Sequence, residues 1–425
     1  MYRDFGISHE IQKFVEEQEE ALGPLFSALD EVKKTNNLKI LKAMQDAGLS
    51  DHHFHWNTGY AYDDQGRDAT EKIYSQVFDT EDALVRPAIA SGTHAITLML
   101  TGILRPGDHL LTITGTPYDT LLAVIGTSEK NGSTLIELGV EYDEIPMIGK
   151  SFDVEKTKNS IKANTKVLYL QRSQGYSFRE TFSLKSLEEI ISIAKSIKPD
   201  IIVALDNCYG EFTNKKEPTS YGVDIMAGSL IKNPGGGLTL SGGYIVGKKD
   251  LITLCSHKLT SPSLGKEVGG TFGITRTLLQ GLFFAPTVVY HALQSALLFA
   301  KVFSELGYDV KPSLEDKRED IIQAIMLKDP NKILAFCEEV QKSSPVDSHL
   351  TPIPWAMPGY DAEVIMAAGT FIQGASIELS ADAPMREPYV VYIQGALLYE
   401  QAKLCVMRIL ERFNEMEKRK TGILE

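Results

Sequence analysis

A lysine in a glycine-rich loop and an aspartate at the end of an apolar run are the residues of this chain best suited to chemistry. Lys232 lies in the stretch Ser-Leu-Ile-Lys-Asn-Pro-Gly-Gly-Gly of residues 229–237, and Asp206 ends the run Ile-Ile-Val-Ala-Leu-Asp. A lysine amine can bond covalently to an aldehyde, and glycines loosen a loop enough for the amine to reach one. A carboxylate buried at a strand end is costly unless it meets a positive partner or several donors. The pair therefore indicates a ligand that offers both an aldehyde and a cation.

Pyridoxal 5'-phosphate (PLP) is a cofactor with both groups. Its aldehyde takes the amine of Lys232, and its protonated pyridine nitrogen pairs with Asp206. As a free amine, Lys232 can then move a proton at a substrate carbon. Each residue has an ordinary alternative, Lys232 as a surface lysine beside a turn and Asp206 as a turn or helix-capping residue. The strands predicted before and after Lys232, with Asp206 upstream, favour the cofactor.

A candidate phosphate site follows the first predicted strand. Ser91, Gly92 and Thr93 open a predicted helix, and backbone N–H groups at a helix start bind anions, with the glycine permitting close approach. The ordinary alternative is a serine that only caps the helix. Ser229, three residues before Lys232, is suited to a further phosphate contact. The sequence therefore predicts a phosphate cradle beside the lysine loop.

An aromatic ring and an arginine would complete such a site. Tyr118 follows the next strand, and its ring can stack on a pyridine face, although a plain packing role is also open. An amino acid substrate brings a carboxylate, which calls for a bidentate arginine. Arg386, in a loop after a strand of the smaller domain, is the first candidate and Arg172 is its rival. A surface ion pair is the alternative for either arginine.

Metal and disulfide chemistry are not expected. The four cysteines form no CxxC pair, so we expect reduced thiols. Cys208, two residues after Asp206, is expected to pack behind a strand end rather than to serve a ligand. The histidines at positions 52, 53 and 55 lack HExxH spacing, and neighbouring histidines in a strand point to opposite faces.

The bulk composition is that of an ordinary globular protein. The chain has 425 residues, 43% hydrophobic and 23% charged, with a net charge of −13 spread through helical stretches. This charge argues against nucleic acid as a partner. The amino terminus lacks a signal-peptide pattern, and we expect no apolar run to approach the roughly 18 residues of a membrane helix. We therefore expect a cytoplasmic protein with a small-molecule substrate and no membrane partner.

Alternating strand and helix patterns predict an α/β fold with a mainly parallel sheet covered by helices on both faces. Helical periodicity over 8–48, broken at Pro24, predicts a helical arm over residues 1–55. After this arm we predict a large PLP-binding domain over 56–290 and a smaller C-terminal α+β domain over 291–425. The ligand site belongs at the carboxyl ends of the parallel strands. Strands are predicted at 83–89, 109–114, 134–138, 166–170, 201–205, 224–227, 243–246, 320–326, 362–369 and 371–379, and the closing helix at 389–417.

Taken together, these residues resemble the fold-type I PLP enzymes of cysteine and methionine metabolism. Residues 91–95, Ser-Gly-Thr-His-Ala, look like the phosphate segment of that family, Asp206-Asn207 is similar to its Asp-Asn, and Ser229-x-x-Lys232 to its lysine loop. Residues 67–71, Arg-Asp-Ala-Thr-Glu, and the glycines at 235–237 are most similar to a bacterial group of methionine gamma-lyase-like or aluminium-resistance proteins. Ile231 stands where the family usually has threonine, and the glycine stretch replaces its shorter loop.

The resemblance implies a homodimer or homotetramer with the active site between subunits. It also implies that Tyr60 and Arg67 reach the phosphate bound by a second copy, that Tyr118 stacks on the ring and that Arg386 binds the substrate carboxylate. The expected activity is a carbon–sulfur lyase that acts on a cystathionine- or methionine-type thioether by β- or γ-elimination. The alternatives are a PLP-dependent aminotransferase or aldol-type lyase, and a PLP-binding resistance or regulatory protein with little turnover.

Overall fold

Two sheets, each packed against helices, organise the chain in the computed structural model, which describes residues 2–127, 132–357 and 362–420. The helices are α1 (His9–Ala21), α2 (Gly23–Asp46), α3 (Gln65–Val77), α4 (Gly92–Ile103), α5 (Asp119–Ile125), α6 (Val154–Ser160), α7 (Leu184–Ile197), α8 (Lys249–Leu259), α9 (Thr275–Glu305), α10 (Pro330–Lys342) and α11 (Tyr399–Lys420). The strands are β1 (Asp82–Arg86), β2 (His109–Thr112), β3 (Glu141–Glu144), β4 (Thr165–Gln171), β5 (Ile202–Asp206), β6 (Ile225–Ser229), β7 (Gly243–Gly247), β8 (Asp309–Lys311), β9 (Ile322–Met326), β10 (Val364–Ala368), β11 (Ser380–Pro384) and β12 (Val390–Gln394).

The larger sheet has the order β1-β7-β6-β5-β4-β2-β3. Its strands are parallel except β7, which runs antiparallel to both of its neighbours. Side chains alternate between two hydrophobic cores, so that Leu168 and Leu170 join one core while Val167 and Tyr169 join the other. Because both faces are covered, the central strands are apolar almost throughout. The predicted α/β fold with a mainly parallel sheet is confirmed.

The smaller sheet, β10-β11-β12-β9-β8, is antiparallel and packs against α9 and α10, and α11 joins the same core. Helix α1 joins this second core through Ile11 and Val15, so the first helix of the amino-terminal arm rests on the carboxyl-terminal part of the chain, whereas α2 joins the first core through Ile40 and Met44. Helix α9 connects the two cores: its buried residues belong to the first core up to Leu293 and to the second from Leu297. The predicted domain boundary at 290 thus falls inside a continuous helix.

Helix α9 contradicts the expectation that the chain has no apolar run as long as a membrane helix. It is the one helix among the described residues that is long and apolar enough to cross a membrane, by length and composition. However, 72% of its apolar window is buried inside the protein. Its apolar surface is therefore covered by the two cores that it connects, and α9 is a core helix.

Two of the predicted strands are wrong because side chains close turns there. Residues 134–138 form a turn in which Thr134 and Glu137 bond to each other's backbone N–H groups, and the strand is β3 instead. Residues 371–379 form bends because the Glu378 carboxylate accepts hydrogen bonds from the N–H groups of Phe371 and Ile372. The strand of that region is β11.

The closing helix begins later than predicted. Residues 390–394, Val-Val-Tyr-Ile-Gln, form the central strand β12, as their β-branched and aromatic content favours. Tyr389 and Gly395, with φ of +57° and +74°, flank this strand and do not fit a helix. Helix α11 therefore starts at Tyr399.

The glycine-rich loop after Lys232 packs directly on helix α9. A Cβ atom added at Gly281 would lie 2.2 Å from the carbonyl oxygen of Gly235, and one added at Gly236 would lie 2.5 Å from the carbonyl oxygen of Gly281. Only hydrogen fits between these two backbones. The helix therefore fixes the position of the loop that carries Lys232.

Gly281→Ala is expected to lower the free energy of unfolding by about 1 to 3 kcal/mol, because its methyl group must push the loop off the helix. The matched control is Gly23→Ala, at the first residue of α2, where an added Cβ would meet nothing within 4 Å. Alanine there is expected to be neutral or slightly stabilising. Urea unfolding of both variants checks this, and equal stabilities for the two would contradict it.

Candidate active site

Seven of the residues singled out in the sequence meet in one cavity at the carboxyl ends of the parallel strands. Strand β5 ends at Asp206, β6 ends at Ser229 and Lys232 follows immediately. The cavity measures about 340 Å³, within the range of small-molecule sites. Its lining includes Ser91, Gly92, Thr93, Tyr118, Asp206, Ser229 and Lys232.

Lys232 places its amine over an aromatic ring. Its Nζ atom lies 3.9 Å from the centroid of the Tyr209 ring. Burial lowers the pKa of the Lys232 amine, but the acidic groups of Cys208, Tyr209 and Asp206 outweigh burial and the pKa is raised overall. The geometry therefore favours an ammonium on Lys232 in the cofactor-free protein.

Asp206 is a buried carboxylate with few donors. It is 7% exposed, and its Oδ1 atom accepts a hydrogen bond from the backbone N–H of Cys208 at 2.9 Å. Burial raises the pKa of Asp206, and the N–H of Cys208 and the charge of Lys232 only partly offset that effect. No lysine, arginine or histidine in the described ranges forms an ion pair with it. A cationic group placed in the cavity would stabilise its charged form.

The start of helix α4 forms a cradle against β6. Ser91 caps the helix by accepting a hydrogen bond from the His94 N–H at 3.1 Å, and the next N–H groups lie in the open first turn. A Cβ atom added at Gly92 would lie 3.1 Å from Cys208 Sγ and 3.3 Å from Ser229 Cβ. Glycine is therefore needed for the close packing of this cradle. Lys232 is the one cationic side chain among the described residues that line the cavity.

Tyr118 is held by a glutamine that the sequence did not reveal. Its backbone N–H donates to Gln171 Oε1 at 2.8 Å, and Gln171 Nε2 donates to the Ser173 carbonyl at 3.2 Å. The Tyr118 ring lies 5.3 Å from that of Tyr176, which lies 5.5 Å from that of Tyr392. A row of tyrosines thus crosses the cavity from the larger to the smaller sheet.

The smaller sheet supplies a wall that sequence reasoning missed. Tyr392 and Gln394 on β12 line the cavity, and Gln394 Nε2 donates to Asp382 Oδ2 at 2.9 Å. Burial raises the pKa of Asp382, while hydrogen bonds from Gln394 and Tyr176 lower it. The β-branched and aromatic content of residues 390–394 was the available signal, and it was overlooked because a helix was predicted there.

Neither predicted arginine lines the cavity. Arg172 is 1% exposed and donates to Asn207 Oδ1 at 2.8 Å, Thr213 Oγ1 at 3.1 Å and Glu319 Oε2 at 3.3 Å. It neutralises buried carboxylates behind the cavity, so its guanidinium is already engaged. Arg386 is an exposed residue on the turn between β11 and β12. Arg172 is therefore not available to a substrate carboxylate, whereas the predicted contact of Arg386 with that carboxylate stays a prediction.

Tyr60 and Arg67 lie away from the cavity of their own chain. The Arg67 side chain is 1% exposed, and its Nη1 donates to the carbonyl oxygens of Ala61 at 2.9 Å and Gly269 at 3.4 Å. Arg67 thus fixes two loops of its own chain instead of projecting outward. Tyr60 is 69% exposed and its ring lies 5.7 Å from that of Tyr62. Its contact with a second copy stays a prediction.

Cys208 and Tyr209 also line the cavity. Cys208 is buried, as expected, and it also contacts both Asp206 and the Gly92 cradle. It therefore packs behind the strand end and forms part of the site. Tyr209 was missed altogether. The sequence signal was its place three residues after Asp206, on the loop that leaves the carboxyl end of β5.

Comparison with known proteins agrees with this geometry. Residues 11–414 match the family model described as methionine gamma-lyase. An uncharacterized protein of Bacillus subtilis (strain 168) is 46% identical over 92% of this chain and 94% of its own length. The L-methionine gamma-lyase of Fusobacterium nucleatum is 28% identical over 45% of each chain.

Solved structures extend the likeness to the fold. A proposed cystathionine beta-lyase involved in aluminium resistance from Listeria innocua is 46% identical with a TM-score of 0.92, covering 95% of this chain and 99% of that one. A carbon–sulfur lyase involved in aluminium resistance from Clostridium novyi NT is 41% identical with a TM-score of 0.93, covering 97% of each. A PLP-dependent protein from Escherichia coli, 16% identical with a TM-score of 0.63 over 91% of this chain and 97% of its own, shares the fold. On the family match and these relatives, the chain belongs to the methionine gamma-lyase family.

Proposed function

We propose that this member of the family is a PLP-dependent carbon–sulfur lyase that cleaves an amino acid thioether of cystathionine or methionine type. The observation that carries the proposal is the meeting of Lys232, Asp206 and the Gly92 cradle, from separate strand ends, in one cavity. The family and the names of its relatives support the same class of reaction.

The residues present fit PLP. Asp206 is a buried carboxylate that a protonated pyridine nitrogen would stabilise. The cradle is tight at Gly92, where an added Cβ would lie 3.1 Å from Cys208 Sγ, and it presents helix-start N–H groups, as a phosphate site requires. When bound, PLP supplies an aldehyde for a covalent bond to an amine and a ring that accepts an electron pair.

Each residue of the cavity has a role in this proposal. Lys232 would bond the aldehyde and, as a free amine, is placed to take the proton from the substrate's α carbon. Asp206 would keep the pyridine nitrogen protonated. Tyr118 would stack on the ring. The N–H groups of Ser91, Gly92 and Thr93 with the Ser229 hydroxyl would hold the phosphate.

A second copy of the chain would complete the site. Lys232 is the one cation among the described residues of the cavity lining, and a phosphate carries nearly two negative charges. Exposed aromatic residues, Trp56, Tyr60, Tyr62 and Phe272, are candidates for a subunit contact, since large exposed aromatic surface marks interfaces. We propose a homodimer or homotetramer in the cytoplasm in which Tyr60 of one copy reaches the phosphate of another.

Turnover of cystathionine and methionine is expected to consume one water and to release a thiol, a 2-oxo acid and ammonia. Pyruvate from cystathionine indicates β-elimination and 2-oxobutyrate indicates γ-elimination. Lys232→Ala should remove both the visible absorbance of covalently bound PLP and the thiol release, because no other lysine lines the cavity in the part of the chain described. Lys13→Ala, at a side chain 69% exposed, is the control and should change neither. Transfer of the amino group without thiol release, or cofactor binding without turnover of an amino acid panel, would contradict the proposal.

Asp206→Asn is expected to stabilise the cofactor-free protein while weakening the loaded enzyme. Burial raises the pKa of Asp206 above its ordinary value of 3.8, so the folded state holds this proton more tightly than the unfolded state. The contribution of Asp206 to stability is thus neutral at low pH and becomes unfavourable as pH rises through the raised pKa. The variant's advantage should grow from about pH 4 to about pH 7.5 and reach about 1 to 3 kcal/mol.

Urea unfolding of both cofactor-free proteins at the two pH values measures this difference. The loaded variant should lose about 100-fold or more in turnover, since the ring nitrogen loses its anionic partner. A constant stability difference at both pH values would show that Asp206 is not a buried, strained charge.

A further inference from the structure

Tyr209 lies between the lysine amine and the smaller sheet. Its ring centroid is 3.9 Å from Lys232 Nζ, a distance at which an aromatic face attracts an ammonium. The residue lines the same cavity as Lys232 and Asp206. Among the roles proposed above, none uses this ring.

The backbone of Tyr209 is strained. Its φ is +73°, in the left-handed region that bulky residues rarely adopt. The conformation is held on both sides: the Gly210 N–H donates to the Asn207 carbonyl at 2.9 Å, and the Ile321 N–H donates to the Tyr209 carbonyl at 3.2 Å. Strain that neighbouring contacts maintain at a site points to a functional constraint on the side chain.

The ring is fixed from the smaller sheet as well. The Tyr209 hydroxyl lies 3.2 Å from Ser376 Oγ, and the ring packs against the apolar cluster of Ile322 and Tyr392. The Lys232 amine, in contrast, sits on a flexible four-carbon stem. The Tyr209 ring is therefore held in place, whereas the Lys232 amine that lies on its face can move.

We propose that Tyr209 is a positioning residue whose ring face holds the released Lys232 amine beside the substrate's α carbon, with Ser376 fixing the orientation of the ring. This inference rests on the proposed function and deepens it. When the α C–H bond breaks, the proton passes to Nζ and the electron pair stays on the substrate side. Tyr209 exchanges no proton; its ring face favours the ammonium that this transfer creates.

The first test uses cofactor-free protein and no substrate. In protein labelled with ¹³C at the lysine ε carbon, the Lys232 signal is assigned by its loss in Lys232→Arg. The Tyr209 ring face should shift this signal upfield. Tyr209→Leu should abolish the shift, and Tyr209→Phe should retain it. Tyr209→Met replaces Leu if that variant does not fold.

The second test uses the loaded enzyme with α-deuterated and ordinary substrate. Tyr209→Leu should lower kcat by about 10- to 100-fold, as a misplaced reacting group does, with little change in KM and a larger isotope effect. Tyr209→Phe and Ser376→Ala should each give a smaller loss of a few fold, and the double variant should lose no more than either alone. The control is Tyr290→Leu, which removes a ring 4.5 Å from Lys33 Nζ and should change none of these quantities.

The outcomes separate the two proposals. Failure of the protein to capture PLP at Lys232 defeats the proposed function, whereas the ε-carbon signal reports on Tyr209 without substrate or cofactor. An unshifted Lys232 signal in the wild-type protein, or equal kcat losses for Tyr209→Phe and Tyr209→Leu, would overturn the role assigned to the ring. An unchanged isotope effect in Tyr209→Leu would do the same.

Discussion

A carboxylate buried at the end of a central parallel strand is the constraint on which the rest of the site depends. Asp206 is covered by protein and receives a backbone N–H from Cys208, but it has no full ion pair within the described part of the chain. Burying a charge without a partner costs several kcal/mol of folding free energy. A cation bound beside Asp206 would offset that cost. The Gly92 cradle and the loop of Lys232 line the same cavity, where they can hold the other groups of a ligand that carries such a cation.

The polar layer behind the cavity shows how the fold tolerates this arrangement. Asn207 follows Asp206 and binds Arg172, whose guanidinium also lies 3.3 Å from Glu319 and 3.6 Å from Glu217. The two carboxylates compensate the charge of the buried arginine, and Glu319 and the amide accept hydrogen bonds from its N–H groups. This network fixes the floor of the cavity and ties it to residue 319, which lies between strands β8 and β9 of the smaller sheet. It also explains why Arg172 is not free to bind a substrate.

The cavity is shared between the two sheets. Strands β5 and β6 supply the chemistry, whereas β12 supplies Tyr392 and Gln394 as the opposite wall. Helix α9 connects the two cores and presses on the glycine loop, so the position of Lys232 depends on both parts of the chain. The contact of Tyr209 with Ser376 lies across the same junction. Relative movement of the sheets would therefore shift the Lys232 amine and the wall formed by Tyr392 and Gln394 together.

The sequence by itself determined the elements whose signals are local. Short apolar runs that alternate with helical stretches predicted most strands of the larger sheet, and the glycine loop, the capping serine at 91 and the strand-end Asp206 indicated the cofactor-binding segments. Contacts between distant segments were decided only by the tertiary structure, because no local pattern encodes which strand end faces which. Thus Arg172 turned out to be engaged with Glu319, far away in sequence, and Tyr392 became a cavity wall through a strand that resembled part of a helix. The ring of Tyr209 beside the lysine amine is a further example: its position follows from packing against residues 322 and 376, which are far from it in sequence.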